Sequence, residues 1–233
     1  MSHCLQNHVA CNETSKVPWY PTRLLCVSPD QTAKGQIRLV CTADQQLNGP
    51  YVTLSHCWGK LQITKLLRSN VDDFRSGIPL TGLPKTFRDA VIITQRLGIS
   101  WLWIDSLCII QDQHDFSDWA AEAALMNKVY SHSYCNISAS AAEDGSLGLC
   151  FPRDPRDLHV VEVDLCVRDL KSEVDFDVEH TRCRIVNRHF LVQNVTESVL
   201  NTRAWVLQER FLSPRVLHFG CNQLLWELSL IHI

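Results

Sequence analysis

The chain has 233 residues, of which 45% are hydrophobic and 20% charged, and its formal net charge is −3 at pH 7. These values are typical of a globular protein with one large domain or two small ones. The charge excludes the strongly basic surface that holds a nucleic-acid backbone. No apolar run reaches the about 18 residues that a membrane span requires, so neither nucleic acid nor a membrane span is expected.

The eleven cysteines indicate an intracellular protein. Their number is odd, and several, including Cys57, Cys108 and Cys135, lie inside apolar runs. The N-terminal residues show no charged start followed by an apolar stretch, so we expect no secretory signal. Buried, reduced thiols therefore explain the cysteines better than a disulfide framework does. The expected location is the cytoplasm, with the nucleus as the alternative.

The first half of the chain predicts strands and helices in alternation. Residues 1–50 are interpreted as a lead-in segment with one strand at 36–41, and 51–55 (YVTLS) as a short buried strand. A helix is predicted over 83–97, because its apolar residues recur at helical spacing and Gly98 suits its end. Residues 100–104 (SWLWI) predict a strand that is apolar on both faces, followed by a loop over 105–112.

A second helix is predicted from Ser117, its expected cap, to residue 130, and a third strand at 136–140. This alternation favours an α/β fold with a mostly parallel central sheet. The alternating pattern at 159–167 makes 152–198 a β-rich insertion. A third helix, capped by Asn201 or Thr202, is expected to bury Ala204, Leu207 and Phe211. A C-terminal hairpin is predicted from 216–219 and 223–226.

Four segments of the chain form an ordered set of motifs. They are YVTLSHCWG at 51–59, LPKTFRDAVIITQRLGISWLWIDSLCIIQD at 83–112, MNKVYSHSYCNISASAAEDGSLGL at 126–149 and RAWVLQERFLSPRVLHFG at 203–220. In this order they resemble the fungal heterokaryon-incompatibility (HET) family. The spacing of Cys4, His8 and Cys11 and the PTRL lead-in at 21–24 are similar to what precedes the domain in many members. The resemblance places the HET domain at 51–227, with an atypical or truncated end at 228–233.

This resemblance implies a role in non-self recognition between fungal individuals, with the domain as an effector of programmed cell death. It implies protein partners or self-association, and no certain cofactor. The family is distantly similar to TIR domains, some of which cleave NAD. By that second likeness the fold is expected to be three-layered and TIR- or flavodoxin-like, and NAD becomes a candidate substrate.

Glu209 is the candidate catalytic residue. The spacing of four puts it on the same helical face as Trp205, and TIR-type NAD hydrolases carry their acid in a comparable Trp-x-x-x-Glu placement. A carboxylate offsets the positive charge that develops on the ribose when a nicotinamide–ribose bond breaks. The alternative is that Glu209 pairs with Arg203, Arg210 or Arg215 and only anchors its helix.

Ligand-binding residues are expected at the carboxyl edge of the sheet. Asp105 follows a predicted central strand, where ligands of open α/β sheets collect. Ser106, with His56 and Trp58 from the loop after residue 55, is expected at the same edge. Trp205 and Arg203, the latter as a phosphate contact, complete the candidate ligand-binding set. The alternative is that Asp105 caps its loop and Trp58 belongs to the core.

Two further candidates are weaker. Cys108 and His56 could act as a thiol nucleophile and base, but the apolar neighbours of Cys108 predict a buried thiol with a raised pKa. Cys4, His8 and Cys11 are ligand-type residues at close spacing, yet a zinc site needs a fourth ligand. No metal site is therefore predicted.

Overall fold

The computed structural model describes residues 19–59, 63–153, 161–168, 178–185 and 192–228. Its main feature is a mixed sheet of eight strands. The strands of this sheet are β1 (Arg23–Cys26), β2 (Gln36–Cys41), β3 (Tyr51–Ser55), β4 (Ile78–Pro79), β5 (Trp101–Ile104), β6 (Cys135–Ser138), β9 (Arg215–Phe219) and β10 (Leu224–Leu228). A separate antiparallel pair is formed by β7 (Val161–Arg168) and β8 (Val178–Ile185).

The strand order of the large sheet is β10-β9-β6-β3-β5-β1-β2-β4. Its four central strands, β9, β6, β3 and β5, are parallel, whereas the strands on both flanks pair antiparallel. The prediction of a mostly parallel sheet is therefore wrong. The reason is that residues 1–50, which the sequence analysis interprets as a lead-in segment, supply β1 and β2 to the sheet. The C-terminal hairpin adds β10.

Seven α-helices connect the strands within the described ranges. They are α1 (Pro29–Thr32), α2 (Val71–Ser76), α3 (Lys85–Arg96), α4 (Asp105–Cys108), α5 (Ser117–Ala123), α6 (Met126–Ser131) and α7 (Ala204–Leu212). None of them has the length and apolar character that crossing a bilayer demands.

Most of the predicted elements are present. All five residues of β3 are buried, and β5 pairs with β3 as a central strand. Helix α3 ends before Gly98, whose φ of 74° is the left-handed conformation expected at a helix end. The insertion contains the predicted alternating strand as β7, and residues 154–160 of it lie outside the described ranges.

Helix boundaries differ from the predictions where polar side chains have other partners. Ser117 is the first residue of α5 and not its cap, and its N–H donates to Asp115 Oδ1 at 2.9 Å. Asn201 and Thr202 do not cap α7 either, because their side chains donate to the carbonyls of Val195 and Val199. The predicted loop after β5 begins with α4, a helix of four residues.

The buried face of α7 is the opposite of the predicted one. Leu207 and Phe211 are exposed, by 64% and 44%, whereas Val206 and Glu209 are buried. An acidic residue has thus taken the inward position that an apolar side chain was expected to fill. This inversion means that Glu209 must find polar partners inside the protein, since an isolated buried charge is costly.

A buried ion pair connects the N-terminal strand to the middle of the chain. Arg23 in β1 is 7% exposed, and its guanidinium contacts Asp118 in α5 at 2.6 Å. The same side chain donates to the carbonyl oxygen of Cys108 at 2.7 Å and lies 3.5 Å from Glu122. Because Glu122 is buried too, removal of the arginine leaves carboxylates uncompensated.

We predict that Arg23→Met lowers the free energy of unfolding by about 3–5 kcal/mol, the usual cost of breaking a buried ion pair. Arg75→Met is the matched control, because Arg75 pairs with Asp44 at an exposed site and such pairs contribute about 0–1 kcal/mol. Urea denaturation of both variants measures the difference. Equal losses in the two variants would contradict the role assigned to Arg23.

Candidate functional site

The order of the parallel strands creates a crevice at their carboxyl ends. Strand β3 lies between β5 and β6. After β3 the chain therefore forms β5 on one side of it and later forms β6 on the other side. Ligands of open α/β sheets bind at such a reversal of strand order. The loop after β3 begins with His56, and α4 begins with Asp105 directly after β5. Both therefore lie at this edge.

A cavity of about 200 Å³ is present here, and Glu209 lies in its wall. We refer to it as the Glu209 cavity. It is lined by Trp58, Asp105, Ile109, Gln111, Trp119, Ala123, Met126, Arg203, Trp205 and Glu209. Five of the seven predicted site residues are thus brought together. Three tryptophans and two carboxylic acids give it an aromatic wall with polar groups at few positions, as in many small-molecule sites.

His56 and Ser106, the other two predicted residues, are not in the cavity lining. The His56 ring is 1% exposed and stands edge-on to Phe87, with ring centroids 4.9 Å apart. Burial lowers the pKa of His56 although Asp105 opposes the change, so the ring is held neutral. Ser106 has no exposed surface, and its carbonyl oxygen accepts the N–H of Leu66 at 2.8 Å.

Asp105 joins the three segments that form the cavity mouth. Its carboxylate accepts a hydrogen bond from Trp58 Nε1 at 2.9 Å and lies 3.6 Å from the Arg203 guanidinium. It also accepts the N–H of Ser106 at 2.7 Å, as the loop-capping alternative predicts. Arg203 in turn donates to the carbonyl oxygen of His56. Asp105 therefore orients Trp58 and Arg203 while it also binds a backbone N–H in the first turn of α4.

Gly59 lets the loop after β3 pass close to a neighbouring loop. Its φ of 64° lies in the left-handed region, and a Cβ at this position would collide with Asp144. A side chain here would push the loop outward. The position of Trp58 one residue earlier thus depends on this glycine.

Glu209 is 2% exposed. Burial raises the pKa of its carboxyl group to about 7, although Ser55, Tyr130 and Arg203 favour the charged form. The group therefore changes its charge near neutral pH. Its Oε2 atom is buried and makes no hydrogen bond within the described ranges. A carboxylic acid with an available oxygen and a pKa near neutrality can exchange a proton with a bound molecule.

The sequence predictions missed the polar residues of the sheet and of α6 that surround Glu209. Ser55 and Tyr130 are hydrogen-bonding neighbours of its carboxyl group. Asn136 Nδ2 donates to Ser55 Oγ at 2.9 Å, and Thr53 Oγ1 donates to Asn136 Oδ1 at 3.1 Å. Thr53 and Ser55 occupy alternate positions of a fully buried strand. Two hydroxyls on one face of such a strand were the available signal of a buried polar network.

The arginines proposed as structural partners of Glu209 are engaged elsewhere, except Arg203. Arg210 forms a bidentate ion pair with Glu227 of β10, in which the Nε–Oε2 and Nη2–Oε1 distances are both 2.8 Å. His218 Nε2 approaches the same carboxylate at 2.7 Å. Arg215 Nη1 donates to the carbonyl oxygen of Tyr134. Of these three arginines, Arg203 is the one whose charge acts on the Glu209 carboxyl group among the contacts described.

The weaker candidates gain no support from the geometry. Cys108 is 1% exposed, and burial raises the pKa of its thiol to about 12, so the thiolate is absent at neutral pH. Cys4, His8 and Cys11 lie outside the described residues. Within the described ranges, no group of three or more His, Cys, Asp or Glu side chains is arranged to hold a metal ion.

The fold and the cavity define an α/β domain with a cavity at the carboxyl edge of its parallel strands. The family model described as heterokaryon incompatibility protein (HET) matches residues 51–209, more than half of the 233 residues. The chain therefore belongs to the HET family. Comparisons with curated proteins and with solved structures found no significant match.

We predict that Glu209→Gln stabilises the protein increasingly as the pH rises. The wild-type carboxyl has a pKa of about 7 when folded and the ordinary value of about 4.3 when unfolded, so folding takes up a proton between these values. The unfolding free energy of the variant should therefore exceed that of the wild type by up to about 4 kcal/mol above pH 7, at about 1.36 kcal/mol per pKa unit. Below about pH 4 the excess should disappear.

Urea denaturation between acid and mildly alkaline pH measures this difference. Glu197→Gln is the control for a substitution at an exposed glutamate, and it should change the unfolding free energy by less than about 0.5 kcal/mol. A pH-independent difference for Glu209→Gln would contradict the burial of a titrating carboxyl at this position.

Proposed function

We propose that this HET domain promotes cell death in heterokaryon incompatibility by cleaving the nicotinamide–ribose bond of NAD in the Glu209 cavity. The observation that carries the proposal is Glu209 itself. It is buried, has a pKa of about 7 and lines a cavity beside three tryptophans. Acidic residues with such a pKa act as acids or bases at physiological pH. The site of action is proposed to be the cytoplasm.

The proposed reaction consumes water. The bond between ribose C1′ and the pyridinium nitrogen breaks, and its electron pair neutralises the ring, which leaves as nicotinamide. Glu209 in its ionised form offsets the charge that develops on the ribose and accepts a proton as the water oxygen bonds to C1′. The products are nicotinamide, ADP-ribose and one proton, which Glu209 returns to solvent.

The surroundings of Glu209 supply binding and orientation. A pyridinium ring is a flat cation, and tryptophan faces attract such cations. Trp58 is fixed for this contact by its hydrogen bond to Asp105. A volume of about 200 Å³ suits the nicotinamide riboside half of NAD, with the remainder of the molecule outside this cavity. Arg203 lowers the pKa of Glu209 and thus increases the ionised fraction.

We predict that Glu209→Gln reduces NAD hydrolysis by the purified domain by at least about 100-fold, the usual loss when a general base is removed. In yeast, expression of the wild type should lower cellular NAD and arrest growth, and the variant should do neither. For the wild type, kcat/KM should rise with pH through about 7, as the Glu209 carboxyl ionises. Nicotinamide release measures the rate.

Glu197→Gln is the control for a change at an exposed glutamate, and it should retain full activity. Because Glu209→Gln is expected to stabilise the fold, a loss of activity in that variant is not attributable to unfolding. Growth arrest without NAD loss would refute the hydrolase, and growth arrest that persists in Glu209→Gln would remove Glu209 from the mechanism.

Self-association is a second candidate function, favoured by exposed apolar side chains near the C-terminal end. Leu207 and Phe211 lie one turn apart on the outer face of α7. Leu224 and Trp226 are exposed alternate residues of β10, which is the edge strand of the sheet in the described ranges. Edge strands with apolar side chains are ready to pair with another chain. The proposed partner is a second copy of the domain.

We predict that the wild type forms dimers or larger assemblies whose fraction grows with concentration, and that Leu207→Arg with Phe211→Arg abolishes them. Two buried charges at the contact would cost more than the apolar contacts contribute. Ile92→Arg is the control, because Ile92 is exposed on α3. Sedimentation velocity measures the masses. A monomeric wild type at every concentration would refute self-association.

A further inference from the structure

A second cavity adjoins the Glu209 cavity. Its volume is about 620 Å³, and it is lined by Ile63, Thr64, Lys65, Leu67, Asn70, Phe74, Gln111, Asp112 and Gln113. We refer to it as the Lys65 cavity. Gln111 lines both cavities, so the two meet at this residue. A ligand that extends out of the Glu209 cavity past Gln111 enters the Lys65 cavity.

Lys65 places a positive charge at the border between the cavities. Its Nζ lies over the ring of Trp58, 5.0 Å from the ring centroid, and Trp58 belongs to the wall of the Glu209 cavity. The side chain is half-buried, and no carboxylate in the described ranges forms an ion pair with it. The ammonium group therefore remains available to an anion that crosses this border.

The backbone around Lys65 is held firmly. Leu66 is fully buried; its N–H donates to the carbonyl oxygen of Ser106, and its own carbonyl accepts the N–H of Gln111, both at 2.8 Å. Asn70 Nδ2 donates to the carbonyl oxygen of Lys65 at 3.0 Å, and Asn70 Oδ1 accepts the N–H of Leu67 at 2.8 Å. The lysine is thus presented from a fixed segment, which reduces the entropy lost on binding.

The lining of the Lys65 cavity contains one carboxylate besides the lysine. This group, on Asp112, lies 3.6 Å from the Arg68 guanidinium and accepts the backbone N–H of the same residue, and Arg68 also pairs with Asp115 at 2.6 Å. Lys65 is thus the positive charge of this lining that is left for a ligand. Ile63, Leu67 and Phe74 provide apolar surface against which a planar base can pack. The polar side chains of Thr64, Gln111 and Gln113 remain as hydrogen-bonding groups.

We infer that the Lys65 cavity is a nucleoside diphosphate subsite, in which Lys65 binds the diphosphate and the larger cavity holds the nucleoside. The inference deepens the proposed function, on which it rests. A dinucleotide consists of two nucleosides joined by a diphosphate. The structure has the matching order of features: the Glu209 cavity, then the Lys65 ammonium group, then the Lys65 cavity. The arrangement assigns the nicotinamide half to one side of Lys65 and the adenosine half to the other.

The test measures binding of ADP by calorimetry, because ADP carries the diphosphate and requires no hydrolysis. We predict that ADP binds the wild type and that Lys65→Met weakens this binding by about tenfold or more, as expected for a lost charge-assisted contact. Lys65→Arg should retain most of the affinity. Adenosine, which lacks the diphosphate, should bind wild type and Lys65→Met equally. Lys34→Met is the control, since Lys34 is exposed and lines neither cavity.

The outcomes separate this inference from the proposed hydrolase. ADP binding that is absent, or equal in wild type and Lys65→Met, overturns the subsite even if NAD is hydrolysed through Glu209. Lys65-dependent ADP binding without any NAD hydrolysis keeps the subsite and removes the hydrolase. If Lys65→Met and Lys34→Met weaken ADP binding equally, the effect is one of net charge, and the subsite is refuted.

Discussion

The burial of strand β3 between two parallel neighbours is the constraint on which the site depends. Every residue of Tyr51–Ser55 is buried, so the hydroxyls of Thr53 and Ser55 must find partners inside the protein. They find Asn136 on β6. The same network brings Ser55 next to the carboxyl group of Glu209, which turns α7 so that its acidic side faces inward. The same hydrogen-bond network therefore satisfies the buried hydroxyls of the sheet and determines the orientation of α7.

Because α7 is oriented in this way, its charged residues have different partners. Arg210 is next to Glu209 in sequence, but it points away from it and binds Glu227 of β10. Burial tends to raise the pKa of the Glu227 carboxyl, but hydrogen bonds from His218 and Arg210 lower it to about 2. Arg203 at the start of the helix stays near Asp105 and Glu209. The helix is therefore fixed at its outer side by a strong pair, and its inner carboxyl is free to change protonation state.

The sequence allowed prediction of elements whose signal is local. Periodicity located α3, the apolar runs located β3 and β5, and the position of Asp105 after a strand placed it correctly at the cavity. The failures are non-local. The four residues of β1 carry no periodic signal of their own and become a strand through pairing with β2 and β5. The apolar residues of α7 do not reveal which face of the helix is buried, because that face is determined by the contact between Glu209 and Ser55. Ser55 lies about 150 residues earlier in the chain.

The pairing of β1 with β5 also determines how the domain can be divided. The family match begins at residue 51, so a fragment cut there would contain all of the matched residues. Such a fragment would strip β5 of its neighbour and expose the backbone of Trp101–Ile104, a strand of apolar residues. Bare apolar edges of this kind recruit other chains and precipitate. We therefore expect soluble expression to require the N-terminal strands, and fragments that lack them to aggregate.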